Sequence, residues 1–403
     1  MNKPQEPPAP VEPPELIVDL DHQDLVTAQL REYELWPKVV GDDKELIDPS
    51  PELGLARLTL PAGVVELDAL LIELRRHFAG LFGGWIPVVG KNRTIEGIIG
   101  SGTSKPMVGG LVSLGTSKPM LLDEPELTPG RAVSVAPSDV GTGVTIGLID
   151  TPFRKSAGLP GPHTVDAEPA LELPAEPVPA RAGHGIFVAS KILERAPGAH
   201  LIVSGLLDPM TGRGDTWTIA KEMLQLARRV HIMNLSFGSY TADGEPPLVL
   251  TRATERIGPD VVVVAAAGNH GIVTGWQNGL TKRSAAWPAA LPTVVAVGAR
   301  REHDGLAEFT PRVPWITCTA PGEKVTGAYL TADVVIHDEF GTPGTKHFDG
   351  TALWSGTSFA AATVTGAIAA RMTGGTSARA ALTALLADPD PKAVVRNHNR
   401  VLG

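Results

Sequence analysis

A single cysteine, Cys318, stands in a chain of 403 residues. One thiol can form neither an intrachain disulfide nor a cysteine-built zinc site, so the supports of small secreted scaffolds are missing. Aromatic residues are scarce at 5%. Basic residues are outnumbered, with 35 Lys and Arg against 44 Asp and Glu and a formal net charge of −9. Nucleic acid and anionic membranes are held by clustered cations, so neither is an expected partner. No stretch reaches the roughly 18 uninterrupted apolar residues of a spanning helix. The opening MNKPQEPPAPVEPPE has neither the basic n-region nor the apolar h-region of a signal peptide, and a cytoplasmic location is the expectation.

What the chain does have is enough apolar material, 43%, for at least one large core. It also has 44 glycines and 36 prolines, about a fifth of its length and below the roughly 25–30% that signals disorder. Six prolines fall in the first fourteen residues. Residues 1–14 therefore read as an extended tail. Residues 15–95 read as a small accessory domain or prosegment, with a strand near Gly54–Leu60 and another at Trp85–Val89. Between them Leu67, Leu70, Leu71, Leu74 and Phe78 recur at helical spacing. Residues 96–139 form a Gly/Ser/Pro-rich linker in which Gly102–Met107, GTSKPM, returns as Gly115–Met120. Two similar turns explain this repeat, and so would two copies of a peptide that enters a cleft.

After Val140 the texture changes. Apolar runs at Val144–Asp150, His200–Ser204, His231–Leu235 and Asp260–Ala267 lack alternation, as strands buried on both faces do. Helical patterns at Gly185–Arg195, Thr216–Arg229 and Leu248–Arg256 separate them, and Thr293–Gly298 and Trp315–Ala320 extend the series. This order predicts an α/β fold with a mostly parallel central sheet and helices on both faces. The domain is placed at residues 140–385, with a C-terminal tail at 386–403. Thr151–Ala180, with seven prolines, reads as an irregular surface excursion.

Ligands and reacting groups gather beyond the carboxyl ends of such strands, and four residues stand there. Asp150 closes the first strand and suits either a turn cap or the acceptor for an imidazole. His184, in Gly-His-Gly, starts an amphipathic helix, where a histidine is either structural or a base. Asn269 ends Ala-Ala-Ala-Gly-Asn, as a turn residue or an oxyanion donor. Ser358, in Gly-Thr-Ser-Phe-Ala-Ala-Ala, opens a helix of small and apolar residues. It is either a cap or a nucleophile beside the positive end of the helix dipole.

The order Asp150, His184, Asn269, Ser358, with these motifs, resembles the subtilisin-like serine peptidases, the subtilase S8 family, over about Val140 to Met372. The resemblance implies a three-layer subtilisin-like fold in which Ser358 is acylated, His184 is general base and then acid, Asp150 orients the imidazole and Asn269 donates to the oxyanion. It also implies that Ser236, Phe237 and Gly238 bind substrate backbone and border a specificity pocket whose other wall is Ala266, Ala267 and Gly268. Thr151-Pro152 after the aspartate and Ala362 in the serine helix, where the family carries Gly and Pro, depart from the pattern without removing a reacting group. No cofactor and no metal are expected. Calcium sites assembled from separate loops stay open.

The implied function is a serine endopeptidase acting on extended peptide or protein substrates, narrow in specificity and regulated through its N-terminal region. That region could serve as inhibitor or substrate of its own cleft, or recruit a regulatory protein partner. A catalytically silent module that binds a peptide or partner is the alternative. A generic α/β esterase is disfavoured because Ser358 lacks a Gly-x-Ser-x-Gly elbow.

Overall fold

The computed structural model describes residues 13–38, 41–61, 66–97, 136–153, 158–168, 177–241, 244–273, 281–301, 305–337, 343–388 and 394–398. The GTSKPM repeats and residues 1–12 lie outside these. The chain forms two compact units, one of residues 1–93 with 247–252 and one of the remainder.

The first unit runs β1 (Glu15–Asp19), α1 (Gln23–Glu32), β2 (Ile47–Ser50), β3 (Leu55–Thr59), α2 (Leu67–Leu81) and β4 (Val89–Lys91). Its antiparallel sheet has the order β2-β3-β1-β4. In β1 the register sets Leu16 against Leu58 and Val18 against Ala56. These four side chains meet Val26 and Leu30 of α1 and Leu70, Leu71, Leu74 and Phe78 of α2 in one core, so the helical spacing reads out as one buried face. The strand expected at Trp85–Val89 begins only at Val89. Pro87 supplies no N–H for a ladder, and Trp85 and Ile86 are exposed.

In the second unit follow β5 (Thr94–Gly97), β6 (Thr145–Asp150), β7 (Thr164–Glu168), β8 (Val178–Pro179), α3 (His184–Leu193), β9 (His200–Gly205), β10 (Arg213–Asp215), α4 (Thr216–Ala227), β11 (Ile232–Leu235) and β12 (Phe237–Gly238). After α5 (Leu248–Arg256), whose first five residues are counted with the first unit, come β13 (Val262–Ala266), β14 (Val295–Arg300), β15 (Cys318–Pro321), β16 (Val325–His337), β17 (Pro343–Trp354), α6 (Thr357–Ala369), α7 (Ala378–Ala387) and β18 (Arg396–Asn397). Among the described residues the main sheet has the order β18-β15-β14-β13-β11-β6-β9-β7. Every pairing in it is parallel except that of β18. From β6 the chain moves one way to β9 and then back across to β11. The crevice beyond the carboxyl ends of β6 and β11 is the switch point where such sheets place their sites.

Helices cover both faces. Ile146 and Leu148 of β6 share a core with α3 and α6, while a side chain at the intervening Gly147 would meet Leu226 and Val230 at the end of α4. Alternation along a strand puts these on opposite sides. α6 is buried over its whole length, and its small residues allow that. A Cβ at Gly366 would sit 2.4 Å from the Ile192 carbonyl of α3. Cys318 is buried in β15, and burial pushes its thiol up to about 12.

The Pro-rich stretch after Asp150 is not wholly irregular. β7 lies within it as the edge strand beside β9, where a central strand's demand for continuous apolar residues does not apply. β14 and β15 fall at the runs Thr293–Gly298 and Trp315–Ala320 that extend the strand series, whereas the antiparallel hairpin β16–β17 lies where no pattern pointed to strands.

Candidate active site

Asp150 is fully buried at the carboxyl end of β6. One carboxylate oxygen, Oδ1, accepts the Thr151 backbone N–H at 2.7 Å and meets His184 Nδ1 at 2.7 Å. Next to it Thr151 Oγ1 accepts the Gly185 N–H at 2.9 Å, tying the first turn of α3 to the strand end. This approach needs glycine. A Cβ at Gly185 would lie 2.2 Å from the Thr151 carbonyl oxygen, and one at Gly183 would lie 2.2 Å from the Tyr329 ring. The two glycines therefore admit neighbours rather than open the ring to solvent, because His184 is only 1% exposed.

The imidazole is enclosed by aromatic rings. Trp354, at the end of β17, meets it edge-on with centroids 5.7 Å apart, and Phe359 of α6 lies at 5.6 Å. With Nδ1 committed to a carboxylate, the proton of a neutral ring belongs on Nδ1 and the lone pair on Nε2. His184 Nε2 is buried and, among the described residues, has no hydrogen-bond partner. A buried unpaired acceptor is costly unless something uses it.

Ser358 is buried in the first turn of α6. Its hydroxyl donates to the Ser236 carbonyl at 3.1 Å, and Ser236 Oγ donates back to the Ser358 carbonyl at 3.1 Å. Asn234 Nδ2 donates to Ser236 Oγ at 2.8 Å, and Thr365 Oγ1 donates to Asn234 Oδ1 at 3.0 Å. β11 and α6 are thus joined by a buried polar chain directly below the serine. Ser358 and His184 Nε2 are not hydrogen-bonded here, as is common before substrate arrives.

Asn269 follows β13 and is 4% exposed. Its Oδ1 accepts both the Thr357 N–H and the Thr357 hydroxyl, each at 3.0 Å, and Thr357 Oγ1 in turn accepts the Gly268 N–H at 3.2 Å. Two donors on Oδ1 determine which way the amide faces. Nδ2 points to the other side, 3.8 Å from the Cβ position of Gly356. Ser236, Phe237, Gly238, Ala266 and Ala267 are all buried, and Gly268 adopts a left-handed backbone, φ +100°.

β5 lies between β10 and β12, antiparallel to both. Gly97 faces Phe237 and Glu96 faces Gly238 on one side, while Ile95 faces Gly214 on the other. The backbone edge at Phe237 and Gly238, which the resemblance implies for substrate, already has a strand on it.

The threonines were the part hidden in the sequence. Thr151 and Thr357 are only the neighbours of Asp150 and Ser358 in the sequence, yet each bridges two segments more than thirty residues apart in the chain. Trp354 carried no motif at all. Among the described residues no group of three or more His, Cys, Asp or Glu is arranged to hold a metal ion, and no helix is long and apolar enough to cross a membrane.

Residues 141–383 match the model of the subtilase family, Peptidase_S8. The chain belongs to the subtilases. It is 31% identical over 158 residues to the minor extracellular protease Epr of Bacillus subtilis, covering 37% of this chain but 22% of Epr. It is 29% identical over 202 residues to subtilisin BL of Lederbergia lenta, covering 47% of this chain and 67% of that protein. Fervidolysin from Fervidobacterium pennivorans, a keratinolytic enzyme related to subtilisin, shares the fold, with a TM-score of 0.56 at 17% identity over 91% of this chain and 56% of that one.

Proposed function

We propose that this subtilase is a serine endopeptidase using Ser358, His184, Asp150 and Asn269. The observation that carries this reading is the 2.7 Å contact of Asp150 with His184 Nδ1, which leaves Nε2 buried and unpartnered at the strand ends where Ser358 sits. His184 Nε2 takes the Ser358 hydroxyl proton as Oγ bonds to the scissile carbonyl carbon. The carbonyl oxygen becomes an oxyanion, to which Asn269 Nδ2 donates, with the amide already turned by Thr357 so that no reorganisation is needed at that moment. The imidazolium then protonates the departing amine as the C–N bond breaks. Water repeats the sequence to release the acyl group from Ser358.

Two strand edges flanking β5 support an extended peptide substrate, because added-strand recognition uses backbone hydrogen bonds. They also support a regulatory role for the N-terminal region. Residues 94–97, just ahead of the GTSKPM repeats, occupy the edge of β12 as a segment of the chain's own, in the manner of an inhibitor or first substrate.

Fluorophosphonate labelling of the full chain, after incubation long enough for any self-processing, tests the reading. Labelling lost in Ser358→Ala, together with peptide hydrolysis lost in the same variant, is expected. A folded wild-type protein that neither labels nor hydrolyses, yet binds peptide, would establish the silent binding module instead. Intact mass adds the regulatory arm: wild type shortened near residue 97 with Ser358→Ala intact is expected, and identical N-termini would refute self-processing.

A further inference from the structure

Tyr240 follows β12 by two residues and His270 follows Asn269 directly, so each continues one of the two walls beside Ser358. The two side chains meet. Tyr240 Oη and His270 Nδ1 are 2.9 Å apart, and the rings are edge-to-face with centroids at 4.8 Å. The other ring nitrogen, Nε2, lies 2.9 Å from the Ser284 carbonyl, which can only accept. Nε2 therefore carries the proton, Nδ1 carries the lone pair, and the tyrosine hydroxyl is the donor between them. The tyrosine oxygen also meets the backbone N–H of Asn269.

We propose that Tyr240 and His270 are positioning residues for the oxyanion donor, clamping the Asn269 backbone and tying the Gly238 wall to the Gly268 wall. The clearance around the clamp is nil. A Cβ at Gly268 would fall 2.6 Å from Tyr240 Oη and 2.7 Å from His270 Nδ1, so the left-handed turn before Asn269 is packed directly on the hydrogen bond. Asn269 is thus held twice: its side-chain oxygen by Thr357 and its main chain by Tyr240. With both held, Nδ2 has one direction. His270 has no exposed surface, and burial lowers its pKa to about 4, which keeps Nδ1 an acceptor over the neutral range. Buried polar groups joined in this way rigidify what they touch.

The contacts of the pair run to Gly268, the Asn269 main chain and Ser284, so its effect runs through Asn269. A donor that serves only the developing oxyanion acts on kcat rather than on ground-state binding. Tyr240→Phe keeps the ring and removes the hydroxyl. It is expected to lower kcat about tenfold with KM within about twofold, on the scale of a misplaced rather than a deleted group. His270→Ala is expected to do the same. His270→Gln, which retains one acceptor and one donor, should recover most of that loss.

The test is a double-mutant cycle on Ser358-dependent peptide hydrolysis, with melting temperatures to show that each variant is folded. This inference rests on the proposed role of Asn269, so Asn269→Ala is one corner. If Asn269→Ala lowers kcat and Tyr240→Phe lowers it in the wild-type background but not in the Asn269→Ala background, the clamp acts through Asn269. If Asn269→Ala lowers kcat while Tyr240→Phe leaves it unchanged, or the two losses add fully, the clamp is refuted and the peptidase reading stands. If Asn269→Ala leaves kcat unchanged, the role of Asn269 falls and the clamp falls with it.

Discussion

Acid should destabilise this protein through His270 before its carboxylates titrate. The imidazole, buried with Nδ1 accepting from Tyr240, is lowered in the folded state from 6.5 to about 4. Between those values the unfolded chain binds the proton and the folded one does not, so stability rises with pH across the window. It is complete above about pH 6.5 and is lost as pH falls toward 4. The linkage relation gives a loss of about 2 kcal/mol by pH 5 and about 3 kcal/mol by pH 4. His398, also lowered by burial, adds loss of the same sign, whereas Glu194, raised by burial, opposes it. Both remain when only His270 is replaced. Urea unfolding of Ser358→Ala, which cannot cleave itself on the proposed mechanism, should therefore be compared with Ser358→Ala/His270→Gln from pH 7 to 4. The single variant is expected to lose more stability than the double, by about 2 kcal/mol at pH 5. Parallel pH profiles would refute the buried, neutral assignment of His270 and the hydrogen-bond direction built on it.

Asp150→Asn should keep the hydrogen-bonding shape but favour the wrong imidazole tautomer, lowering kcat by about 10⁴; steady-state hydrolysis checks this, and a loss under tenfold would remove Asp150 from the proposed set. Gly185→Ala forces a methyl to 2.2 Å from the backbone carbonyl of Thr151, which cannot rotate away. Its unfolding free energy, read from urea titration, should fall by the ~1–3 kcal/mol typical of overpacking, and a loss below about 0.5 kcal/mol would argue against the contact. Glu96→Pro removes the backbone donor of β5 where it faces Gly238 and Arg213; freshly purified chain carrying it should hydrolyse a peptide substrate faster than wild type, and equal or slower rates would argue against an inhibitory strand.

The readable parts of the sequence were those whose environment is local or uniform. Val262–Ala266 and Ile146–Ile149 are buried on both faces, so an unbroken apolar run announces a central strand. α2 shows its period because one face meets one core. Strands that take their partners from far along the chain left no such mark. β7 hides among prolines at a sheet edge, β16 and β17 lie in a stretch without a motif, and β5 is defined only by β10 and β12, more than a hundred residues away.

The site divides along the same line. Gly-His-Gly, Ala-Ala-Gly-Asn and Gly-Thr-Ser identified His184, Asn269 and Ser358 as candidates, since the chemistry of each residue type and the need for glycine at a close approach are properties of short segments. The tertiary structure alone decided their bonding: that Asp150 Oδ1 meets Nδ1 rather than capping its own turn alone, that Thr357 turns the Asn269 amide, and that Tyr240 reaches His270. A hydrogen bond's direction and partner depend on where two distant backbones are brought together, and burial, which sets both its strength and the protonation of the groups involved, exists only once the sheet and helices have closed around them.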